Sequence, residues 1–287
     1  MRLPNSYRWC LRPEVDVAHY RITWLVVGTF ALTACQRSTP ARDAVVSIVA
    51  REYALQLPDT LPAGPTAFAL RNEGTQPHEA AFVRLDSGKT VADVVAADTV
   101  PGPDPAWMHW IGGPASFPGG PQSTVTLMLE PGHYAVICGV PGADGKPHFM
   151  SGMIRSLTVT PSGPMAAAPT SDIAVRLVDY DFQLATPISA GIHTMAITNG
   201  AAQDHHLMMF RLAPGKSIAD LLAWLQAAKG PPPLAWASGM TGLSHGNTAY
   251  LTVDFIPGTY AMICFLNDDH DNKPHVEHGM QKAFIVQ

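Results

Sequence analysis

The sequence predicts an all-β protein of two tandem β-sandwiches, each with one short inserted helix. Short alternating runs of apolar and polar residues, separated by Pro-Gly and Asn-Gly turns, are typical of sandwiches and barrels. The 24 Gly and 26 Pro, with only 14% charged residues, suit loop-rich β structure better than helical bundles. An internal repeat covers most of the 287 residues, which is enough for two ordinary domains. We therefore expect a separate core in each half.

The amino terminus has the features of an export signal. An apolar run from 22 to 34 follows Arg21; it is too short to span a bilayer but matches the central region of a signal peptide. The run ends in Leu-Thr-Ala-Cys, which resembles a bacterial lipobox and implies lipidation of Cys35. We expect a signal peptide at 1–34, a tether at 35–44 and a cell-envelope lipoprotein on the extracytoplasmic face of a membrane. An ordinary signal peptide followed by a chance cysteine is the alternative.

The second half of the chain repeats the first. Residues 131–138, Pro-Gly-His-Tyr-Ala-Val-Ile-Cys, return as Pro-Gly-Thr-Tyr-Ala-Met-Ile-Cys at 257–264. A Pro/Ala/Ser/Gly stretch with little to bury lies between the halves and reads as a linker. The predicted organisation is a first domain at 45–160, a linker at 161–171 and a second domain at 172–287.

One helix is expected in each half. In the second half, Ser217 and Asp220 form a capping-box-like start, and apolar residues follow Ile218 at helical spacing. A shorter version begins at Thr90. The strand-like runs around the helices include 66–70, 124–129 and 251–255. Because each helix has a single apolar stripe, we expect it to dock on its sandwich.

Four metal-binding side chains recur in the same order in each half. The two sets are His78, Cys138, His148, Met153 and His205, Cys264, His275, Met280. Three of the pairs are 127 residues apart and the cysteines 126. Two imidazoles, a thiolate and a weakly held thioether form the set that favours copper. The sequence thus predicts one copper ion in each half, with loading of a single half left open.

Cysteine usage supports a metal site. Exported proteins usually pair their cysteines, but Cys10 lies within the signal peptide and Cys35 would carry lipid. Cys138 and Cys264 occupy equivalent positions of the two repeats, so we expect them in separate cores and unpaired. Ligation of a metal explains such a thiol; an inert buried cysteine is the alternative.

The spacing suggests how the ligands converge. A strand would end at each Cys, a loop would return the second His, and a turn would bring up the Met. The first His must come from elsewhere in the fold. It follows an Asn by six positions (Asn72 and Asn199), where we expect a strand to begin.

On these residues the chain resembles the cupredoxins, the blue copper proteins. The matching pattern is Asn…His with Cys…His…Met, in both halves, and it covers residues 45–160 and 172–287. The segment from His148 to Met153 is most similar to the type 1 copper loop of copper nitrite reductases, which are also tandem cupredoxins. The resemblance implies an eight-stranded Greek-key sandwich in each half, holding a copper ion that transfers single electrons.

The chain also departs from these relatives. Copper nitrite reductases have a His immediately before the type 1 Cys to bind a catalytic copper, but Ile137 and Ile263 stand there; multicopper oxidases have His-Cys-His, which neither half has. We therefore predict an electron carrier and not an enzyme. After the first His, where many cupredoxins have a small polar residue that ties the ligand loops together, this chain has Glu79 and His206.

Several residues compete with the proposed ligands. His206 competes with His205, and Met150 with Met153, but the shared spacing favours His205 and Met153. A weak secondary metal site or a solvated loop is expected at Asp268, Asp269, His270, Asp271 and His278. A type 2 copper at an interface would draw on His109, His133, His193 or His245, which have no counterpart in the other half.

The predicted function is that of an exported, membrane-tethered type 1 copper protein. It would carry electrons between redox partners such as a c-type cytochrome or a terminal oxidase. Copper binding or delivery is the alternative, and an enzyme related to nitrite reductase is a third possibility. The net charge of −5 gives no electrostatic reason to bind nucleic acid. Assembly into a homo-oligomer stays open.

Overall fold

A computed structural model describes residues 45–97, 104–185, 187–227 and 231–287. The predicted signal peptide at 1–34, the lipidation of Cys35 and the tether at 35–44 lie outside these ranges and remain predictions. Within the described ranges, no helix has both the length and the apolar character needed to cross a membrane.

Strands and one short helix build each half. The elements of the first half are β1 (Val46–Arg51), β2 (Ala54–Gln56), β3 (Thr60–Pro62), β4 (Gly64–Asn72), β5 (His78–Glu79), β6 (Ala81–Leu85), α1 (Val91–Ala97), β7 (Met108–Trp110), β8 (Ala115–Ser116), β9 (Ser123–Leu129), β10 (Gly132–Ile137) and β11 (Ile154–Thr160). Those of the second half are β12 (Ile173–Val178), β13 (Asp181–Leu184), β14 (Gly191–Asn199), β15 (His205–Leu212), α2 (Ile218–Ala227), β16 (Leu234–Leu243), β17 (Thr248–Phe255), β18 (Gly258–Ile263) and β19 (Gln281–Val286).

The strand order repeats between the halves. One layer of the first half has the order β2-β1-β4-β9, and the corresponding layer of the second half has the order β13-β12-β14-β17. The other layers have the orders β11-β10-β6-β7 and β19-β18-β15-β16, with β3 added at the edge of the first. Consecutive strands cross between the layers, as in a Greek key. The predicted class is confirmed: all-β, with tandem cupredoxin-like sandwiches and one short helix in each.

The two halves are joined strand to strand. β9 pairs with β17 in antiparallel register, so that the first layers form one continuous eight-stranded sheet. The central pair of this joint is Val125 with Leu251, which are equivalent positions of the repeat. The second layers are also connected, because Gly112 N–H donates to Gly242 O at 3.0 Å and Thr241 N–H donates to Gly113 O at 2.8 Å.

The joint changes where the core lies. The largest cluster of buried apolar side chains contains residues of both halves, including Cys138 and Cys264. The expectation of two separate cores is therefore wrong, because strand pairing across the joint brings the two apolar interiors together. Both cysteines are buried and free, as expected. Residues 161–171 form neither strand nor helix, and the proposed domain boundaries stay predictions.

Both helices dock on the sandwich. In α2, Leu221 is fully buried in a cluster with Phe210 and Trp236, and α1 buries Val94 beside β10. The predicted cap of α2 is present, because the Ser217 hydroxyl donates to Asp220 Oδ2 at 2.7 Å and Asp220 N–H donates back to Ser217 Oγ at 3.2 Å. The predicted end of α2 at Gly230 lies outside the described residues.

The α2 cap gives a pH-dependent prediction. Hydrogen bonds from Ser217 hold the pKa of Asp220 below its ordinary value. A carboxyl with a lowered folded-state pKa stabilises the fold above its unfolded pKa of about 4, and this stabilisation is lost as the pH falls through the folded value. We expect Ser217→Ala to lower the unfolding free energy by about 1 kcal/mol at pH 7 and by clearly less at pH 2. Denaturant unfolding at both pH values measures this, with Ser171→Ala as an exposed control. An equal cost at both would contradict it.

Candidate metal centres

An asparagine shapes the loop that leads to the first histidine of each half. Asn72 Nδ2 donates to Gln76 O at 2.8 Å, and its Oδ1 accepts Gly74 N–H at 2.8 Å. Asn199 repeats the arrangement, with Nδ2 donating to Gln203 O at 2.8 Å. These asparagines end β4 and β14, so the expectation that they begin strands is wrong. An Asn side chain can hydrogen-bond the loop that follows it as readily as cap an element.

The second part of each centre is a loop closed by backbone hydrogen bonds. Cys138 follows β10 directly, and its N–H donates to Met153 O at 3.1 Å. Between them, His148 N–H donates to Val140 O and Met153 N–H donates to His148 O. A 3₁₀ helix, His148–Ser151, makes the turn, and Gly152 ends it at φ 108°, which suits glycine. The same bonds recur around Cys264, and this part of the ligand geometry matches the prediction.

In the first half, three donor atoms converge. Cys138 Sγ lies 3.9 Å from His78 Nδ1 and 3.5 Å from His148 Nδ1. The three side chains are 0–1% exposed. Because each imidazole turns Nδ1 towards the sulfur, the lone pairs of both rings and the thiol share one small space that could hold a metal ion.

The second half builds the same arrangement. Cys264 Sγ lies 3.9 Å from His205 Nδ1 and 3.4 Å from His275 Nδ1, and the two Nδ1 atoms are 3.0 Å apart. All three residues are fully buried. In each half, the two histidines that lie next to the cysteine are those that the repeat pattern of the sequence indicated.

Burial sets the charge state of the donors. It lowers the pKa of His78, His148, His205 and His275, so the metal-free rings are neutral near pH 7. Burial raises the pKa of Cys138 to about 12, with help from the Glu79 charge, and that of Cys264 to about 12. Neutral imidazoles are ready to bind a metal, whereas each thiol must release a proton first.

Glu79 and His206 connect the two ligand loops. Glu79 N–H donates to Cys138 Sγ at 3.4 Å, and Glu79 Oε1 accepts Gly139 N–H at 3.0 Å. His206 N–H donates to Cys264 Sγ at 3.5 Å, and His206 Nε2 accepts Phe265 N–H at 2.7 Å. The small polar residue of many cupredoxins is thus replaced by larger side chains that still link the two ligand loops by a hydrogen bond. Since the His206 ring is used in this bond, the geometry favours His205 as the ligand.

Three of the four outer histidine nitrogens have hydrogen-bond partners that the sequence did not predict, whereas His78 Nε2 has none among the described residues. Gln76 Oε1 lies 3.2 Å from His148 Nε2, and Gln203 Oε1 lies 3.4 Å from His275 Nε2. Asp179 Oδ1 lies 3.1 Å from His205 Nε2, whereas Glu52 Oε1 is 3.8 Å from His78 Nε2. The two glutamines could have been identified from the repeat, because a Gln stands two residues before the first His in each half.

A tyrosine in the left-handed backbone region covers each second histidine. Tyr53 and Tyr180 have φ values of 62° and 64°. Their rings meet His148 and His275 edge to face, at centroid distances of 5.5 and 5.8 Å. A bulky residue at positive φ is unusual, and each tyrosine directly follows an acidic residue, Glu52 or Asp179.

The remaining candidates take different places. Met153 and Met280 are fully buried, while the competitor Met150 is 37% exposed; ligation by Met153 and Met280 stays a prediction. Asp268, Asp271 and His278 form a third group in the described chain that could hold a metal, although only Asp268 is buried. Other histidines bond elsewhere: His109 to Asp86, His193 to Asp172 and His245 to Ala201 O.

The two main groups fit copper. Each offers two imidazole nitrogens and one sulfur, and these three atoms lie within 4.8 Å of one another. This is the donor set of a type 1 copper site, where a thioether is the weak fourth ligand. Strand order and donor groups are both those of a tandem cupredoxin-like protein, and the donors support copper binding in both halves.

Comparisons with known proteins add little to this assignment. No family model matches the sequence, and no curated protein matches it. Among solved structures, auracyanin B is 19% identical over 42% of this chain and 93% of its own, with a TM-score of 0.29. Auracyanin A, a "blue" copper protein from Chloroflexus aurantiacus, is 19% identical over 40% and 99%, with a TM-score of 0.26. Copper nitrite reductase from Nitrosomonas europaea is 13% identical over 86% and 94%, with a TM-score of 0.25. Similarities this low support no conclusion about function.

Proposed function

We propose that the protein is a two-site type 1 copper protein that carries single electrons. The observation behind this is the convergence, in each half, of two imidazole Nδ1 atoms on one thiol sulfur in a space closed to solvent. Copper bound there would supply a one-electron couple. The ligands would be His78, Cys138, His148 and Met153 in the first site, and His205, Cys264, His275 and Met280 in the second.

The surrounding residues support electron transfer by holding the ligands still. Three of the four rings have a hydrogen-bond acceptor at the outer nitrogen, the exception being His78, and each sulfur receives a backbone N–H from Glu79 or His206. The loop from Cys to Met is closed by its own backbone bonds. A site that is rigid before metal arrives reorganises little between two oxidation states, which favours rapid exchange of an electron.

The proposal also covers where the protein acts and which partner exchanges electrons with it. The predicted signal peptide and Cys35 would place the protein outside the cytoplasm, anchored to a membrane by lipid. A c-type cytochrome or a terminal oxidase would be the redox partner. Copper delivery is favoured less, because burial of all the His and Cys donors opposes ready transfer of the metal. An enzyme related to nitrite reductase would need a further copper centre, for which Ile137 and Ile263 offer no ligand.

Spectroscopy of the exported protein tests the proposal. We expect Cu(II) to produce an intense thiolate-to-copper absorption band with two copper ions per chain. The band should disappear on reduction by ascorbate and return on reoxidation by ferricyanide, with electron exchange to a c-type cytochrome measured by stopped flow. A colourless protein that holds only Cu(I) would support delivery instead. Nitrite or oxygen turnover would support the enzyme.

A further inference from the structure

The second site contains a buried side chain whose orientation is fixed by its neighbours. Gln203 is 8% exposed. Its Oε1 accepts Asp269 N–H at 2.8 Å, and its Nε2 donates to Asp268 Oδ2 at 2.9 Å. The reverse amide orientation would face N–H against N–H and oxygen against carboxylate. Oxygen is therefore the atom that Gln203 presents to His275 Nε2, 3.4 Å away.

The carboxylate behind Gln203 is itself firmly held. Tyr180 O–H donates to Asp268 Oδ2 at 2.6 Å. The other oxygen accepts the backbone N–H groups of His270 at 2.8 Å and Asp271 at 3.2 Å. Asp268 is 4% exposed, so its position is determined by these donors and not by solvent.

This chain of contacts decides the tautomer of His275. The Gln203 oxygen can only accept, so the ring must carry its proton on Nε2. Nδ1 then keeps its lone pair, and it can accept a hydrogen bond from Cys264 Sγ at 3.4 Å or from His205 Nδ1 at 3.0 Å. Carboxylates and carbonyl oxygens behind a ligating histidine commonly fix its tautomer and orientation in this way.

The first site lacks a buried carboxylate at the equivalent position. Gln76 Oε1 lies 3.2 Å from His148 Nε2, but Gly142 occupies the position equivalent to Asp268, four residues after the Cys. A Cβ atom on Gly142 would lie 3.2 Å from Asp144 Oδ1 and 3.5 Å from His148 Cδ2, so the acidic group near this ring is the exposed Asp144 and not a buried carboxylate. Gln76 is also half-buried, where Gln203 is buried.

We infer that Asp268 is a positioning residue that acts through Gln203 to hold His275 ready for metal, and that this clamp makes the second site the slower of the two to release copper. The part about release rests on the proposed copper function. The part about His275 does not, because the clamp exists in the metal-free protein.

The first experiment uses metal-free full-length protein. Long-range ¹H–¹⁵N NMR correlations report which ring nitrogen carries the proton. We expect His275 in a single Nε2–H tautomer, and a mixture of tautomers in Asp268→Ala, with His148 unchanged as the internal control for folding. Asp269→Asn is the matched control, because Gln203 uses only the backbone of Asp269. A single Nε2–H tautomer retained in Asp268→Ala would overturn the clamp.

The second experiment measures copper release. In a Cys138→Ser background only the second site keeps its thiolate, and Cu(I) is removed by bicinchoninate. We expect Asp268→Ala to accelerate release roughly tenfold or more, and Asp269→Asn to leave the rate unchanged. Release from the Cys264→Ser variant, in which only the first site keeps its thiolate, should be faster than release from the Cys138→Ser variant. Equal rates with and without Asp268 would refute the claim about release. Failure to bind copper at all would refute the proposed function and leave the NMR result to decide the clamp.

Discussion

Replacing Cys264 with Ser is expected to remove about half of the thiolate-to-copper absorption and one of two bound copper ions, and Cys138→Ser the other half. Ser has nearly the shape of Cys but lacks the sulfur whose orbital overlap with copper gives the band. Because each sulfur lies 3.4–3.9 Å from the two Nδ1 atoms of its own half, the effects should add. Absorption and metal content of both single variants and the double variant provide the measurement.

The double variant is the control for this result, since it should be colourless but folded. Loss of the entire band in one single variant, with no change in the other, would show that only one half forms a type 1 site. A band that survives in the double variant would show that neither cysteine is the ligand.

Gly113→Ala is expected to destabilise the protein by about 3 kcal/mol or more. Gly113 has φ 146°, which L side chains rarely adopt, and a Cβ there would lie 1.9 Å from the backbone oxygen of Ala80. A backbone atom cannot rotate away, so the segment that carries His78 would have to move. Denaturant unfolding measures the loss, and we expect the first copper site to be lost with it while the second remains.

Gly64→Ala separates the conformational strain from the contact with Ala80. Gly64 has a similar φ, 133°, but a Cβ there would meet nothing within 4 Å. This control should therefore cost only the conformational strain, about 1–2 kcal/mol. A cost for Gly113→Ala no larger than that of the control would show that the contact with Ala80 is unimportant.

The parts of the fold that depend on the order of neighbouring residues along the chain could be predicted from the sequence. A Cys directly after β10, a His ten residues later and a Met after a turn are close in sequence, so their spacing alone limits where they can lie. Gln76 and Tyr53 escaped because neither residue type indicates a metal site, and only three-dimensional contact gives them a role. Asn72 was misplaced because asparagine stabilises loops on either side of a strand.

The joint between the halves could not be predicted for a different reason. β9 pairs on one side with β4 and on the other with β17, yet a strand has the same alternating pattern whether its outer edge is covered or open. Hydrogen bonds between backbones leave no mark on the side-chain sequence. The shared core, which brings Cys138 and Cys264 into one cluster, follows from that pairing.

The same joint bears on how the chain arose. Val125 faces Leu251, its own counterpart, and antiparallel pairing of equivalent positions is the geometry of an isologous two-fold contact. The chain is thus arranged like a homodimer whose two subunits have become covalently linked. Each half covers a sheet edge of the other, an edge that would otherwise invite association with other chains. Either half would therefore be retained for this reason even if it lost its metal, which leaves the two ligand loops free to diverge.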